Sequence, residues 1–113
     1  WQTVVERNVE IVQLELRQVN RQFASAAAMR DPQDRRRARA ELRRSVEAAH
    51  GAVNENGYEV VSLVDEKKLP LGRLAVRRLA AVEAALRALG ASLGAAFDRP
   101  AWAAQTDLDT LVI

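Results

Sequence analysis

Apolar residues recur at spacings of four and three along the first quarter of the chain, at Val5, Val9, Val12, Leu16, Val19 and Phe23. At about 3.6 residues per turn these positions share one helix face, so the pattern predicts an amphipathic α-helix over residues 2–29. Val4, Ile11 and Leu14 form a second apolar face outside that stripe. The core of a bundle does not need this second face, so we expect it to be an oligomer interface.

A helix start signal follows at Asp31-Pro32. Aspartate is a favoured N-cap residue, and proline is favoured at the first helical position, where its missing N–H costs nothing. The next apolar stripe comprises Ala38, Leu42, Val46, Ala49 and Val53. Because Asn56-Gly57 is a typical helix stop, we predict a second helix over residues 32–55. The short break before it forces the two helices into an antiparallel hairpin.

The rest of the chain predicts one more long helix after an ambiguous segment. Residues 58–67 contain a run of valine and leucine that fits a short helix or a short strand, and we prefer the helix. Apolar residues then repeat at spacings of three and four, which predicts a helix over residues 70–97. Gly90 and Gly94 either end or kink that helix or let another backbone approach it closely. The predicted fold class is therefore an all-α helical bundle of three long amphipathic helices plus one short element.

Composition agrees with this fold class and limits the chemistry of the chain. Alanine, the residue with the highest helix propensity, occurs 21 times among 113 residues, and aromatic residues make up only 4%. This length suits a single helical-bundle domain, and a start at Trp1 instead of Met is typical of a piece of a longer chain. The sequence has no cysteine and no apolar run long enough to span a membrane, so we expect a cytoplasmic protein.

Positive charge is concentrated around the turn between the first two helices. Residues 17–44 hold nine arginines and three acids, although the whole chain carries a net charge of only +2. Arg36, Arg39 and Arg43 fall on one flank of the second helix, and the hairpin brings Arg30 towards them. These four arginines are the predicted partner-binding residues.

Two physical considerations support a binding role for the four arginines. Cations near a helix N-terminus oppose the helix macrodipole by about 0.3–1 kcal/mol each, so stability alone would not place them there. The guanidinium group binds carboxylates and phosphates through two parallel hydrogen bonds. An acidic protein and a nucleic acid both fit, while a merely solvated helix start is the plain alternative. No aromatic residue interleaves the cluster to stack on bases, which favours the acidic protein.

The sequence contains no motif of catalysis or cofactor binding. HExxH, GxxxxGK and GxSxG are all absent. His50, the only histidine, lies beside the apolar stripe of the second helix. Without cysteines or a carboxylate at ligand spacing, it predicts no metal site. A histidine on a helical bundle also fits a phosphotransfer protein, but the lysine and small residues expected just after such a histidine are missing.

These features favour a non-catalytic function. We expect a helical interaction or assembly module that oligomerises through apolar helix faces and presents its basic tip to an acidic partner. The alternative is a nucleic-acid-binding or packaging accessory protein that contacts phosphates through the same arginines. A helical phosphotransfer or signalling module that uses His50 is a third hypothesis.

Overall fold

The computed structural model describes residues 2–67 and 72–104, which fold into four helices and no strand. They are α1 (Gln2–Ala28), α2 (Pro32–Lys67), α3 (Gly72–Ser92) and α4 (Ala101–Ala104). The three long helices pack against one another, so the predicted all-α bundle is confirmed. With 36 residues, α2 runs the whole length of the molecule, 52 Å. The predicted start of the third helix, residues 70–71, lies outside the described residues.

A turn of three residues, 29–31, joins α1 and α2 into a hairpin. The side chain of Asp31 accepts a hydrogen bond from the Gln33 backbone N–H, with 2.8 Å between N and Oδ1. The Asp31 carbonyl accepts another from the Arg35 backbone N–H, at 2.9 Å. Asp31 is therefore the N-cap of α2 and Pro32 its first residue, as the sequence predicts. α1 ends within one residue of its predicted end.

α2 continues without a break through Gly57, so the predicted helix stop there is wrong. The apolar stripe continues as well, because Val53 and Val60, one turn before and one turn after the glycine, are both fully buried. Gly57 lies against the indole ring of Trp102, and a side chain at this position would collide with that ring. The glycine thus makes room for a tertiary contact. The segment 58–67 is helical, as preferred, but it is the last part of α2 and not a separate element.

α3 ends at Ser92, five residues before its predicted end. Gly94 adopts the left-handed backbone conformation, with φ at 86°. The Ala95 N–H donates to the Gly90 carbonyl at 2.8 Å, and the Gly94 N–H donates to the Ala91 carbonyl at 3.1 Å. This pair of hydrogen bonds is the Schellman motif, which ends a helix at a glycine because L side chains rarely adopt positive φ.

The core lies between the three long helices and is completed by Trp102 of α4. Its other buried apolar side chains are Val5, Val12, Val19, Leu42, Val46, Ala49, Val53, Val60, Leu79, Ala80, Leu86 and Ala103. Phe23, predicted to continue the α1 stripe, is instead 51% exposed. The end of α3 lies beside Arg39 of α2. Phe23 is fewer residues from the hairpin turn than Arg39 is, so it lies beyond the end of α3. α3 is therefore too short to cover it.

Beyond α3 the chain runs back along α2. The Phe97 ring stacks on the imidazole of His50, with ring centroids 4.2 Å apart and an interplanar angle of 13°. The same ring lies against Gly90 of α3, where a Cβ atom would collide with it. Further along, Trp102 lies against Gly57, two helical turns after His50 on α2. Each of these two aromatic side chains is thus seated on a glycine.

Candidate partner-binding surface

Four arginines of α2 surround an open depression next to the C-terminal end of α3. The depression encloses about 490 Å³ and is lined by Arg36, Arg39, Ala40, Arg43, Arg44, Glu47 and Leu93. We call these seven residues the arginine surface. Its six α2 members recur at spacings of three and four, which brings them to one side of the helix. Leu93, in the turn that ends α3, supplies an apolar side chain to the lining.

Three of the four predicted partner-binding residues, Arg36, Arg39 and Arg43, belong to the arginine surface. Arg44, which was not predicted, joins them, because it follows Arg36 by two helical turns and has a long side chain. Arg30 is exposed in the turn before α2 and does not line the depression. Three of the four predicted arginines therefore line a depression at the junction of α2 with the end of α3, and Arg30 lies outside it.

Arg39, a member of the arginine surface, has a structural partner just outside it. Its Nη2 donates a hydrogen bond to the Ser92 carbonyl at the end of α3, at 2.7 Å. At the hairpin turn, Arg35 Nε donates in the same way to the Met29 carbonyl just after α1, at 2.6 Å. Carbonyls at a helix C-terminus carry partial negative charge, so both contacts are favourable. The C-terminal ends of α1 and α3 thus each attract one arginine of α2.

The arginine surface keeps a positive charge after its internal contacts are counted. Arg43 Nε lies 3.1 Å from Glu47 Oε1, and both side chains are about half exposed. Glu47 is the only acid in the lining, against four arginines. Within the described residues, no hydrogen bond or ion pair engages the guanidinium groups of Arg36 and Arg44. Each guanidinium has five N–H donors, so Arg39 and Arg43 also keep donors for a ligand.

The residues predicted as an oligomer interface lie on a second surface, on α1. Ile11 is 42% exposed and Leu14 is 60% exposed. Val4 is less exposed than these two and is half-buried. Ile11 and Leu14 are one helical turn apart and so form a continuous apolar face.

A buried ion-pairing group, not predicted from the sequence, connects α2 and α3. His50 Nε2 lies 3.1 Å from Glu83 Oε1, and the two side chains are 6% and 1% exposed. Arg87 Nε lies 3.7 Å from the same carboxylate oxygen. Burying a carboxylate is costly unless it is paired, and His50 and Arg87 provide the pairing.

The surroundings of His50 are those of a core residue. Phe97 stacks on one face of the ring, and Glu83 engages Nε2. A phosphotransfer histidine needs a ring nitrogen that a phosphoryl donor can reach, so this geometry does not favour the phosphotransfer hypothesis. One sequence signal of the pair exists: Glu83 is an acid placed on the apolar stripe of α3, between Leu79 and Leu86. An acid at such a position requires a buried partner.

Residues 2–67 and 72–104 contain neither a cluster of metal-ligating side chains nor a membrane-spanning helix. No three histidine or carboxylate side chains there come together in a way that could hold a metal ion. None of the helices is both long and apolar enough to cross a membrane. Comparison of the chain with protein-family models, curated proteins and solved structures finds no significant match.

Proposed function

We propose that this chain is a non-catalytic helical interaction module whose arginine surface binds an acidic segment of a partner protein. One observation carries the proposal: four arginines and a single glutamate surround an open depression that also exposes part of Leu93. The ligand that fits has carboxylates to meet the guanidinium groups and an apolar side chain to contact Leu93.

The arrangement of the arginines supports recognition of carboxylates. Arginine binds a carboxylate through two parallel hydrogen bonds, which are stronger than hydrogen bonds between neutral groups. Arg36 and Arg44 line the depression without an internal partner among the described residues. Arg39 is already held in place by the Ser92 carbonyl. A side chain that is ordered before binding loses less entropy when the ligand arrives.

The lining favours a protein ligand over a nucleic acid. Sequence-tolerant binding of nucleic acid uses aromatic side chains on which bases stack, and none of the seven lining residues is aromatic. A phosphate backbone would contact the arginines and leave Leu93 without an apolar partner. An acidic segment that also carries leucine or a similar residue satisfies both parts of the surface.

The buried pair of His50 and Glu83 supports the non-catalytic part of the proposal. These two side chains have the acid–base character that catalysis requires, yet they engage each other inside the core. Their contacts connect α2 to α3, which also keeps the two halves of the arginine surface together. We therefore propose a structural role for the pair.

A peptide titration tests the proposal. The probe is a fluorescent peptide rich in glutamate and leucine, and its anisotropy is followed as the full chain is added. The variant Arg36→Gln/Arg44→Gln loses two exposed ion pairs of up to about 1 kcal/mol each, so its affinity should fall by up to about thirtyfold. Added salt should weaken binding by the wild type, because exposed charges are screened.

The matched control is Arg73→Gln/Arg78→Gln, which removes two exposed arginines of α3 outside the arginine surface. It has the same net charge as the test variant and should keep the affinity of the wild type. Equal losses in the two variants, or no binding by the wild type, contradict the proposal. A DNA duplex is the second probe. If it binds more tightly than the peptide, with a salt slope of about −0.9 per phosphate contact, the nucleic-acid alternative is correct.

A further inference from the structure

The exposed apolar face of α1 belongs to a longer pattern along the helix. Spacings of three and four connect Val4, Arg7, Ile11, Leu14, Gln18 and Arg21. This is the spacing of the seam of a coiled coil. All of these residues except Val4 are exposed, whereas the buried stripe of α1 uses a different set of positions. The core formed by residues 2–67 and 72–104 therefore leaves this seam uncovered.

We infer that a second copy of this chain covers the seam, with the two α1 helices antiparallel and Ile11 of each copy packed against Leu14 of the other. The seam of a coiled coil alternates between two kinds of position, a and d. In an antiparallel pair, an a position of one helix faces a d position of the other, so this register forms two central apolar layers. It also packs Val4 on the aliphatic part of Arg21 of the second copy. The remaining layer pairs Arg7 with Gln18, so no two like charges share a layer.

The charges beside the seam fit the same register. Glu10 and Arg17 are seven residues apart and therefore lie on the same flank of the seam, and both are exposed. When Ile11 packs against Leu14, Glu10 of each copy faces Arg17 of the other. The twofold symmetry of the pair produces this contact twice. Flanking charges of this kind set the orientation of coiled coils.

A parallel pair of α1 helices is disfavoured by the same residues. In a parallel pair, identical seam positions meet, so Arg7 would face Arg7 and Arg21 would face Arg21. Across the flank, Glu10 would face Glu15 of the second copy, and the symmetry would repeat this contact. The change from acidic to basic flanking residues along α1 therefore selects the antiparallel orientation and a second copy of the same helix as the partner.

Sedimentation equilibrium of the full chain tests this inference. The wild type should form dimers at high micromolar concentration. The variant Glu10→Arg replaces two attractive contacts with two repulsive ones, so the dissociation constant of the dimer should rise about tenfold. The variant Glu10→Arg/Arg17→Glu restores opposite charges and should recover the wild-type constant to within about threefold. In a parallel pair, by contrast, Glu10→Arg would face Glu15 and strengthen the dimer.

The control variant Ile11→Ser/Leu14→Ser removes the apolar layers, keeps every charge and should be monomeric. Far-UV circular dichroism and thermal melting show that each variant is folded, which we expect because the changed side chains are exposed. A monomeric wild type, a stronger dimer in Glu10→Arg, or no recovery in the double variant would each overturn the inference. Dimerisation through α1 does not involve the arginine surface, so Arg36→Gln/Arg44→Gln should leave the dissociation constant of the dimer unchanged.

Discussion

The substitution His50→Leu removes one partner of the buried carboxylate of Glu83 and keeps a side chain of similar size. In the wild type, His50 Nε2 lies 3.1 Å from Glu83 Oε1, and Glu83 is 1% exposed. After the substitution Arg87 Nε, at 3.7 Å, is the partner of that oxygen that remains among the described residues. The Phe97 ring also loses the imidazole on which it stacks.

The expected cost follows from these contacts. Removing a partner of a buried charged group typically costs about 3–5 kcal/mol when it leaves that charge uncompensated. Because Arg87 stays close and its side chain is one-third exposed, we expect the lower end, about 3 kcal/mol. The lost stacking with Phe97 adds about 0.5–1.5 kcal/mol. The total loss in the free energy of unfolding is thus about 4 kcal/mol.

The double variant His50→Leu/Glu83→Leu isolates the role of the charge. It replaces the buried pair with apolar side chains, which is often neutral or stabilising. We therefore expect the double variant to be more stable than His50→Leu alone, by about 2–3 kcal/mol. The single variant Glu83→Leu completes the double-mutant cycle and should itself cost about 1–3 kcal/mol, because it leaves a buried imidazole N–H unpaired.

Urea denaturation measures all four proteins. Far-UV circular dichroism follows the helices, and tryptophan fluorescence reports on the buried Trp102. Coincident transitions with similar m-values permit a two-state treatment. A cost below about 1 kcal/mol for His50→Leu would contradict the argument that the Glu83 side chain depends on His50. A double variant no more stable than the single one would refute the pairing argument.

Three further predictions concern packing and helix ends. Leu86→Ala should lower the free energy of unfolding by about 2–5 kcal/mol, because Leu86 is 1% exposed in the α3 stripe. A shift of the melting midpoint by less than a degree or two would contradict its place in the core. Gly51→Ala, which meets no neighbour within 4 Å, should raise stability by about 0.5–1 kcal/mol through the helix propensity of alanine, and Gly57→Ala should be about 1–3 kcal/mol less stable than Gly51→Ala in urea denaturation, because its added methyl collides with Trp102. Arg39→Gln should lower the free energy of unfolding by about 0.5–1.5 kcal/mol in the same assay, because it loses the hydrogen bond to the Ser92 carbonyl. An unchanged stability would show that Arg39 does not cap α3.

The parts of the fold that depend on near neighbours could be predicted from the sequence. The extent of α1 follows from its apolar spacing, and the N-cap at Asp31 follows from two adjacent residue types. The ends of α2 and α3 depend on more than local sequence. Gly57 and Gly94 are both glycines after an apolar stripe, yet one accommodates Trp102 and the other adopts a positive φ. Only the tertiary contacts distinguish these two roles.

The part of the candidate site that lies on one helix could also be predicted from the sequence. Helical periodicity places Arg36, Arg39 and Arg43 together, because they belong to one helix. The contribution of α3 was not predictable, since the Ser92 carbonyl is 53 residues from Arg39 along the chain. The position of Arg39 on α2 therefore does not reveal its attraction to the C-terminal end of α3. The pairing of His50 with Glu83, 33 residues away, was missed for the same reason.

Chemical-shift mapping by NMR shows whether an acidic segment binds at the arginine surface. A peptide rich in glutamate and leucine is titrated into the ¹⁵N-labelled chain, and backbone amide and arginine Nε signals are followed. We expect saturable shifts confined to the residues around Arg36–Glu47 and to Leu93, with no comparable shifts at Arg73 and Arg78. Shifts spread over all exposed arginines, or centred on the α1 face at Ile11 and Leu14, would contradict the proposed site.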